Sequence, residues 1–397
     1  MRTTVRKVKD ECTGCGACVS ICPKNAISMQ PDDEGFLYPA VDGSLCVECN
    51  LCETRCPVGK PVPKQKQKVY GVQHLDREVR AASSSGGVFT ALARGMLARG
   101  GVVFGAAFGE NLRVEHIGAF NETEMAAMRG SKYVQSDAAD AIENAASLLE
   151  RGIPVLFSGT PCQIAGLKAK TGGKYDDLLL TVDFVCHGVP SPGVFASYIA
   201  ELEKKNGKKV VSYAFRDKRN GWKDFSAAAV FEDGSEHVGN QQTEPFLYGF
   251  LQNLYLRPSC SRCTEYRAEQ RLSDLTMADL WGAQHVCPDK DDDTGLSLVF
   301  VNTERGVQAV KSCVAELRRF AVDMTDAMRR GNPSIWGPAK DHEKRKVFFA
   351  QYKANGFDSE RVMKLLRGPG KLERIIRRIA HLPFGAMRRL RVLIGRR

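Results

Sequence analysis

Long apolar runs are missing from this sequence, and none approaches the roughly 18 consecutive residues of a transmembrane helix. Residues 1–11 also lack the apolar core of a signal peptide, so we expect no export signal. Disulfides form in oxidising compartments and are therefore not expected either. We predict that the 14 cysteines serve mainly to bind metal in a reducing cytoplasm.

Positive charge is scarce outside the C-terminal end of the sequence. The formal net charge is +11, but residues 371–397 hold nine Lys or Arg and one Glu, which leaves 48 basic against 45 acidic residues elsewhere. A nucleic-acid-binding body would carry clustered basic residues. No nucleic acid partner is therefore expected.

The basic end of the chain has a helical pattern, and we predict a helical tail over residues 336–397. Leu372, Ile375, Ile376 and Ile379 recur at the spacing of one helix face, with arginines off that face. Such a helix either packs on its own domain or docks on an anionic membrane surface or a protein partner. The pattern does not separate these alternatives, so the expected location is cytoplasmic with peripheral membrane docking left open.

Eight cysteines form two runs of one pattern, C-x2-C-x2-C-x3-C-P, at positions 12–23 and 46–57. This is the spacing of bacterial ferredoxins, in which the fourth cysteine of each run ligates the other cluster. Zinc sites usually pair two C-x2-C hooks across a loop, a different arrangement. We assign one [4Fe–4S] cluster to Cys12, Cys15, Cys18 and Cys56, and a second to Cys22, Cys46, Cys49 and Cys52.

The order of patterns along the chain predicts an α+β fold. Residues 1–60 form the ferredoxin-like dicluster module, and the Pro- and Lys-rich segment 61–70 is a predicted linker. Over residues 71–335, strand-like runs alternate with helical patterns, of which 305–320 is one, so this region is predicted to be an α/β domain with a mixed sheet covered by helices.

Two polar loops of this domain are candidate phosphate-binding sites. Ser84, Ser85, Gly86 and Gly87 precede a helical pattern, where free N–H groups attract anions, although an ordinary serine cap is the alternative. The second candidate is Arg129, Gly130, Ser131 and Lys132, for which the residues alone favour a solvated loop. No G-x-G-x-x-G sequence follows a strand, so a Rossmann dinucleotide site is not supported.

Four further cysteines lie at the ends of predicted elements. Cys162, after Gly159 and Thr160, opens a helix, where a thiolate is stabilised, and Cys186 ends the next strand. Cys260 and Cys263 form a C-x2-C hook. These four could bind a third [4Fe–4S] cluster; the alternatives are a reactive Cys162 or Cys186, or a zinc hook at Cys260 and Cys263.

Three other residues bear groups that could take part in the chemistry. His187 follows Cys186 and is either a catalytic proton donor or a residue that holds its loop by a hydrogen bond. Cys313 falls on an apolar helical face and is predicted to lie in the core, while Cys287 is unassigned.

An ordered set of motifs resembles the family of coenzyme F420 hydrogenase/dehydrogenase beta subunits, in the form with an N-terminal dicluster ferredoxin domain. The resemblance covers roughly residues 1–310 and rests on segments 84–87, 129–134, 158–163, 186–192, 215–218, 221–222, 260–263, 273–274 and 279–282.

Membership of that family implies a flavin, usually FAD, in the α/β domain, with Ser84–Gly87, Arg129–Lys132, Gly159 and Thr160 as candidate contacts. It also implies a [4Fe–4S] cluster in that domain, which favours the cluster interpretation of the middle cysteines. We therefore expect an oxidoreductase that passes electrons between a low-potential donor such as ferredoxin, the clusters, FAD and an unidentified two-electron acceptor. The alternatives are F420 itself as substrate, or an electron-transfer subunit of a larger reductase without its own substrate site.

Overall fold

The computed structural model describes residues 9–322 and 331–367. The strands in this part of the chain are β1 (Ile27–Pro31), β2 (Leu37–Val41), β3 (Lys68–His74), β4 (Val102–Phe108), β5 (Val114–Ala119), β6 (Val155–Ser158), β7 (Leu179–Phe184), β8 (Val210–Asp217), β9 (Ser226–Phe231), β10 (Glu236–Asn240), β11 (Leu275–Asp279), β12 (Ser297–Val301) and β13 (Leu317–Ala321).

The α-helices in the same part are α1 (Ala17–Ile21), α2 (Leu51–Thr54), α3 (Arg77–Ala81), α4 (Val88–Leu97), α5 (Glu122–Ala126), α6 (Ala139–Glu150), α7 (Pro161–Thr171), α8 (Pro192–Asn206), α9 (Pro245–Leu251), α10 (Ala283–Val286), α11 (Glu304–Ser312), α12 (Arg345–Asn355) and α13 (Ser359–Arg367). No helix within these described ranges is both long and apolar enough to cross a membrane.

The N-terminal module has the ferredoxin-like arrangement that the cysteine runs predict. Strands β1 and β2 form an antiparallel two-stranded sheet. The helices α1 and α2 each begin within a cysteine run, after a residue with a left-handed backbone: Gly16 with φ 80° and Asn50 with φ 59°. Glycine and asparagine adopt this conformation at low cost, so each loop can turn sharply between its cysteines.

The large sheet has eight strands in the order β13-β3-β12-β11-β7-β6-β4-β5. Its central pairs β4–β6, β6–β7 and β7–β11 are parallel, whereas β5, β12, β3 and β13 each pair antiparallel with a neighbour. The predicted mixed sheet is therefore confirmed. The carboxyl ends of β4, β6, β7 and β11 share one edge, where ligand crevices form in sheets of this type.

Both faces of this sheet are buried, as expected for its parallel part. Alternate residues of β6 pack into different apolar cores: Leu156 lies with the α4 residues Val88 and Leu92, whereas Val155 lies with Ile142 of α6. The module helix α1 adds Ala17 to that second core. The ferredoxin-like module is thus packed on one face of the large sheet.

A smaller antiparallel sheet, β10-β9-β8, lies beside an aromatic core. Helices α8 and α9 contribute Tyr198 and Phe246, while Phe348 of α12 and Phe357, which precedes α13, complete this core. The first part of the predicted tail therefore packs on the body of the protein. The tail residues Leu372, Ile375, Ile376 and Ile379 lie outside the described residues.

Two sequence predictions differ from the structure. The helical pattern 305–320 is wrong in its second half, because α11 ends at Ser312 and Leu317–Ala321 pairs with β3 as strand β13. The predicted linker 61–70 is fixed rather than free: Val62 is buried, Gln65 N–H donates to Glu269, and β3 already begins at Lys68. Strand β3 pairs with both β12 and β13, and such pairing between distant segments supplies hydrogen bonds that a sequence pattern does not reveal.

Candidate functional site

The second predicted cluster site is a cavity in the N-terminal module. Cys22 from the first run lines it together with Cys46, Cys49 and Cys52 from the second run. This is the exchange of the fourth cysteine that the ferredoxin spacing predicts. Cys49 is exposed, so this site lies at the protein surface.

The first predicted site is more enclosed. Burial raises the pKa of the Cys18 thiol to about 12, and the neighbouring charges of Cys12 and Cys56 contribute to that increase. Burial likewise raises the pKa of Cys15, again with contributions from Cys18 and Cys12. Thiols packed so closely disfavour one another's ionised form, and bound metal removes that conflict because it binds the thiolate directly.

The middle four cysteines come together at the carboxyl edge of the large sheet. Cys162 lies in the first turn of α7 after β6, Cys186 follows β7, and Cys260 and Cys263 belong to the 3-10 turn that begins at Pro258. Burial raises the pKa of Cys186, and charges of Cys260, Cys162 and Cys263 add to the increase. The structure therefore places all four thiols within electrostatic range of one another.

A single metal ion and a four-iron cluster place different demands on these donor atoms. Throughout residues 9–322 and 331–367, no three His, Cys, Asp or Glu side chains are grouped as a site for a single ion. A single zinc ion would draw its sulfurs to within about 4 Å of each other, given Zn–S bonds of about 2.3 Å. A four-iron cube accepts cysteines farther apart, because each thiolate binds a different iron.

The first N-terminal site and the middle cysteines are adjacent. Gly166 of α7 has no side chain, and a Cβ placed on it would lie 3.1 Å from Cys15 Sγ. The charge of Cys162, at the start of the same helix, acts on Cys15. Arg257, three residues before Cys260, donates from Nε to the Cys12 carbonyl over 2.8 Å. The loop of the module that contains Cys12 and Cys15 therefore lies next to the middle four cysteines.

The first candidate phosphate loop is covered by the sheet. The N–H of Gly86 donates to Ser297 Oγ over 2.9 Å, and a Cβ on Gly86 would lie 2.5 Å from the Val72 carbonyl oxygen. Ser85 Oγ donates to the Leu296 carbonyl. The close backbone approach at Gly86 is thus to β3 and β12. The flavin contact at Ser85, Gly86 and Gly87 stays a prediction. Packing against β3 and β12 already explains why residue 86 is a glycine.

The second candidate loop is open. Gly130 is exposed with φ 84°, and a Cβ there would meet no atom within 4 Å. Ser131 joins the two loops, because its N–H and Oγ both contact Ser84 Oγ, at 2.6 and 2.9 Å. Lys132 instead folds back to the carbonyls of Ala127 and Arg129, and burial lowers its pKa to about 8.

Gly159 and Thr160 form the start of α7. Thr160 and Gln163 make a reciprocal capping box, and a Cβ on Gly159 would lie 3.1 Å from Gln163 Oε1. Thr160 Oγ1 also lies 3.1 Å from Cys162 Sγ. These two residues therefore orient the first cysteine of the middle four, and their contacts within the described residues do not link them to the phosphate loops.

His187 is held in its loop. Its Nε2 contacts Asn253 Oδ1, its ring meets Phe250 edge-on at 5.1 Å, and burial lowers its pKa. These contacts favour the hydrogen-bonding role over that of a proton donor, which stays a prediction. Cys313 and Cys287 are both buried, and Cys313 packs among the α4 and β13 side chains as predicted.

A polar group that the motifs alone did not identify joins the two sheets at this edge. Arg216 of β8 binds Asp279 at the end of β11 over 3.0 Å, and it also donates to Tyr133 Oη and to the Ser84 carbonyl. Trp222 Nε1 donates to Asp279 as well, over 3.0 Å. These residues belong to motifs singled out in the sequence, but their roles depend on contacts between distant segments.

The fold and the cysteine sites define an iron–sulfur electron-transfer protein, in which a dicluster module is joined to an α/β domain with a mixed sheet. Family models agree with this division. A 4Fe-4S dicluster domain matches residues 11–60. The N-terminal and C-terminal models of the coenzyme F420 hydrogenase/dehydrogenase beta subunit match residues 69–143 and 154–326. The chain belongs to the family of coenzyme F420 hydrogenase/dehydrogenase beta subunits, which confirms the resemblance seen in the motifs.

Individual relatives cover the same regions. An F(420)H(2) dehydrogenase subunit of Methanosarcina mazei is 23% identical over 317 residues, which span 75% of this chain and 80% of the relative. An uncharacterized ferredoxin of Methanocaldococcus jannaschii is 36% identical over 67 residues, or 15% of this chain and 86% of the relative. A chain of the F420-reducing [NiFe] hydrogenase complex from Methanosarcina barkeri superimposes with a TM-score of 0.47 at 17% identity, covering 78% of this chain and 93% of that one.

Proposed function

We propose that this chain is the electron-transfer subunit of a larger oxidoreductase and exchanges electrons with coenzyme F420 through a bound FAD. The similarity to an F420H2 dehydrogenase subunit supports F420 as the redox partner. The observation that carries the proposal is the close approach of Cys15 to helix α7, which has Cys162 in its first turn, because it joins the module to the α/β domain at their cysteine sites.

Three cysteine sets would hold the clusters. Two are the N-terminal sets described above, and the third is Cys162, Cys186, Cys260 and Cys263. Clusters of this kind supply one-electron transfer at potentials that depend on charge, hydrogen bonds and exposure. The chain arranges its cysteine sets from the surface inward, since Cys49 is exposed whereas Cys15 lies under α7. The exposed end suits ferredoxin or another redox protein as partner.

The FAD site would lie at the carboxyl edge of the sheet. We place its phosphates at Gly130 and Ser131, beside Ser84, because this backbone is open whereas that of Gly86 is covered. Arg129 pairs with Glu122 through Nη2 over 3.2 Å, while its buried Nε has no hydrogen-bond partner in the described residues and is the donor we assign to the phosphate. A bound flavin supplies the conversion between single-electron and two-electron chemistry.

The test is anaerobic purification of the full chain, followed by measurement of iron, acid-released flavin and reduction by F420H2. We expect about 12 irons, from three four-iron clusters, one FAD per chain, and bleaching of the cluster absorbance on addition of F420H2. Cys162→Ser should retain about eight irons. A wild-type chain that takes up electrons from dithionite but not from F420H2, with flavin present, would contradict F420 as the redox partner.

A second candidate is a self-contained reductase that uses ferredoxin electrons on its own substrate. The exposed position of Cys49 favours it, because a separate carrier protein can approach that site. Activity of the purified chain alone with reduced ferredoxin would support this candidate. Activity that requires a partner chain would support the role of subunit in a larger complex.

A further inference from the structure

The described part of the chain contains five buried arginines, and their partners divide them into two groups. Three are paired with aspartates: Arg80 with Asp292, Arg216 with Asp279, and Arg271 with Asp183. Within residues 9–322 and 331–367, neither Arg257 nor Arg267 forms an ion pair with a carboxylate. Both instead donate to backbone carbonyls of predicted ligand cysteines.

Arg257 is fully buried between the first N-terminal site and the middle cysteines. Its Nη1 donates to the Leu37 carbonyl and to Gln135 Oε1, each over 3.0 Å, while Nε donates to the Cys12 carbonyl. Its Nη2 is buried and has no hydrogen-bond partner in the described chain. The backbone of Gly14 also contacts this guanidinium, since a Cβ there would lie 2.8 Å from Arg257 Cζ.

Arg267 contacts two of the middle four cysteines and is 7% exposed. Its Nε donates to the Cys263 carbonyl over 2.9 Å, and its Nη1 donates to the Cys186 carbonyl over 3.0 Å. Nη1 also donates to the Ser334 carbonyl over 2.7 Å. One guanidinium therefore ties the Cys186 loop to the C-x2-C hook.

The two arginines contact the middle cysteines at different points. Arg257 immediately precedes the turn that carries Cys260, and its carbonyl oxygen accepts from Cys260 N–H over 2.9 Å. Arg267 donates to the carbonyls of Cys186 and Cys263. Hydrogen bonds therefore hold a buried arginine against each of Cys186, Cys260 and Cys263.

A buried cation is costly unless an opposite charge lies near it. Aspartates supply that charge for Arg80, Arg216 and Arg271. A four-iron cluster held by four thiolates is itself an anion, and reduction makes it more negative. We propose that Arg257 and Arg267 are the counter-charges of a cluster on the middle four cysteines and raise its reduction potential. This inference rests on the third cluster of the proposed function.

The two arginines contact the ligand loops of different clusters. Arg257 also contacts the backbone of Cys12 and Gly14, so it acts on the first N-terminal cluster as well as on the middle one. Arg267 makes its contacts at Cys186 and Cys263 and acts on the middle cluster alone. Cys49 is exposed, and we expect the potential of the cluster that includes it to change in neither variant.

The test is a redox titration of the anaerobically purified full chain, followed by electron paramagnetic resonance of each reduced cluster. In Arg267→Met we expect the middle cluster alone to become harder to reduce, by roughly tenfold in its one-electron equilibrium or about 59 mV. Arg257→Met should shift the middle cluster and the Cys12 cluster in the same direction. Arg361→Met is the control, because its side chain is 52% exposed on α13, where water screens its charge.

Lysine variants separate charge from structure. Arg257→Lys and Arg267→Lys keep the positive charge but lose the two-pronged hydrogen bonding. Their cluster potentials should therefore stay close to the wild-type values, whereas Arg257→Gln and Arg267→Gln should show the full shift. Equal shifts in the lysine and glutamine variants would overturn the proposal, as would wild-type potentials in methionine variants that retain full iron. If a methionine variant loses iron, the lysine and glutamine pair decides the question.

Iron content separates failure of this inference from failure of the proposed function. If the wild-type chain holds only about eight irons, the third cluster is absent and that part of the proposed function fails. The effect of Arg257 on the Cys12 cluster then remains measurable. If about 12 irons are present and neither arginine changes a potential, the inference fails, while the three clusters of the proposed function stand.

Discussion

The α-carbon of Gly166 faces the thiol of Cys15, and a Cβ on Gly166 would lie 3.1 Å from Cys15 Sγ. Helix α7, which carries Gly166, begins at Pro161 beside Cys162, while Cys15 belongs to the N-terminal module. One glycine thus permits two segments that are distant in sequence to bring their cysteine sites together. This contact requires a small residue and can be tested directly.

We predict that Gly166→Leu displaces the Cys15 loop. A larger side chain must push against Cys15 and Ala17, which typically costs about 1–3 kcal/mol in a packed interior. Iron content should fall by about four, the content of one cluster, and transfer between the module and the α/β domain should slow. Gly337→Leu is the control, because no atom lies within 4 Å of a Cβ there. Full iron and wild-type transfer in Gly166→Leu would contradict the prediction.

The exchange of cysteines between the two runs gives a second prediction. Cys22→Ser should alter the same cluster signal as Cys46→Ser, because both residues line one cavity. Cys56→Ser should alter the signal that Cys12→Ser alters, because in this spacing the fourth cysteine of each run ligates the other cluster. Magnetic spectroscopy of the reduced variants would show which cluster is affected.

A matched substitution in the core provides the control for that experiment. Cys313→Ala should keep the full iron content, since Cys313 is buried in an apolar cluster away from the predicted ligands. Loss of the same cluster in Cys22→Ser and Cys12→Ser would show that each run ligates its own cluster, against the prediction.

Two glycines distinguish packing from flavin binding. Gly86→Ala should destabilise the fold by about 1–3 kcal/mol, because its Cβ would lie 2.5 Å from Val72 O and 2.8 Å from Ser297 N. Gly130→Val should lower the FAD-to-protein ratio with a smaller change in melting temperature, because it lies in open space at the proposed phosphate site. Released flavin and thermal melting measure the two effects.

Gly172→Val is the control for backbone strain at Gly130. Gly172 also has a positive φ, 64°, and open space around its Cβ position, but it ends α7 away from both phosphate loops. It should lose stability as Gly130→Val does without losing flavin. If both variants keep full FAD, the proposed phosphate contact at Gly130 is wrong.

A buried carboxyl predicts a dependence of stability on pH. Glu244 caps α9 by accepting from Leu247 N–H, lies 1% exposed near Tyr198 and Tyr213, and burial raises its pKa from 4.5 to about 7. Because the folded-state pKa is the higher one, its stabilising effect is complete below pH 4.5 and is lost as the pH rises through 7. The free energy of unfolding should fall by about 1.4 kcal/mol per pH unit in that window.

The measurement is the melting temperature of the full protein between pH 5 and about 8, a range chosen to span the raised pKa. Glu244→Gln should flatten the pH dependence, because it keeps the capping oxygen and cannot ionise. The exposed Glu110 offers the control, and Glu110→Gln should leave the profile unchanged. An equally steep profile in Glu244→Gln would assign the effect to other groups.

The sequence by itself determined the local chemistry. The cysteine runs set their own spacing through short loops, so the ligand sets and the exchange of Cys22 and Cys56 can be predicted from a pattern of about a dozen residues. The alternation of strands and helices likewise predicted the mixed sheet, and the ordered motifs identified the family. These features depend on neighbours in sequence or on a pattern that repeats along it.

Only the tertiary structure decided which of the two phosphate loops is open, because the packing partners of Gly86 are Val72 and Ser297, which belong to other strands. The same holds for Leu317–Ala321, which has a helical apolar pattern but forms β13 by pairing with β3. Arg257 and Arg267 resemble any other arginine in the sequence. Their burial beside cysteines, without a carboxylate among the described residues, arises from contacts between distant segments, and burial is what makes their charge strong.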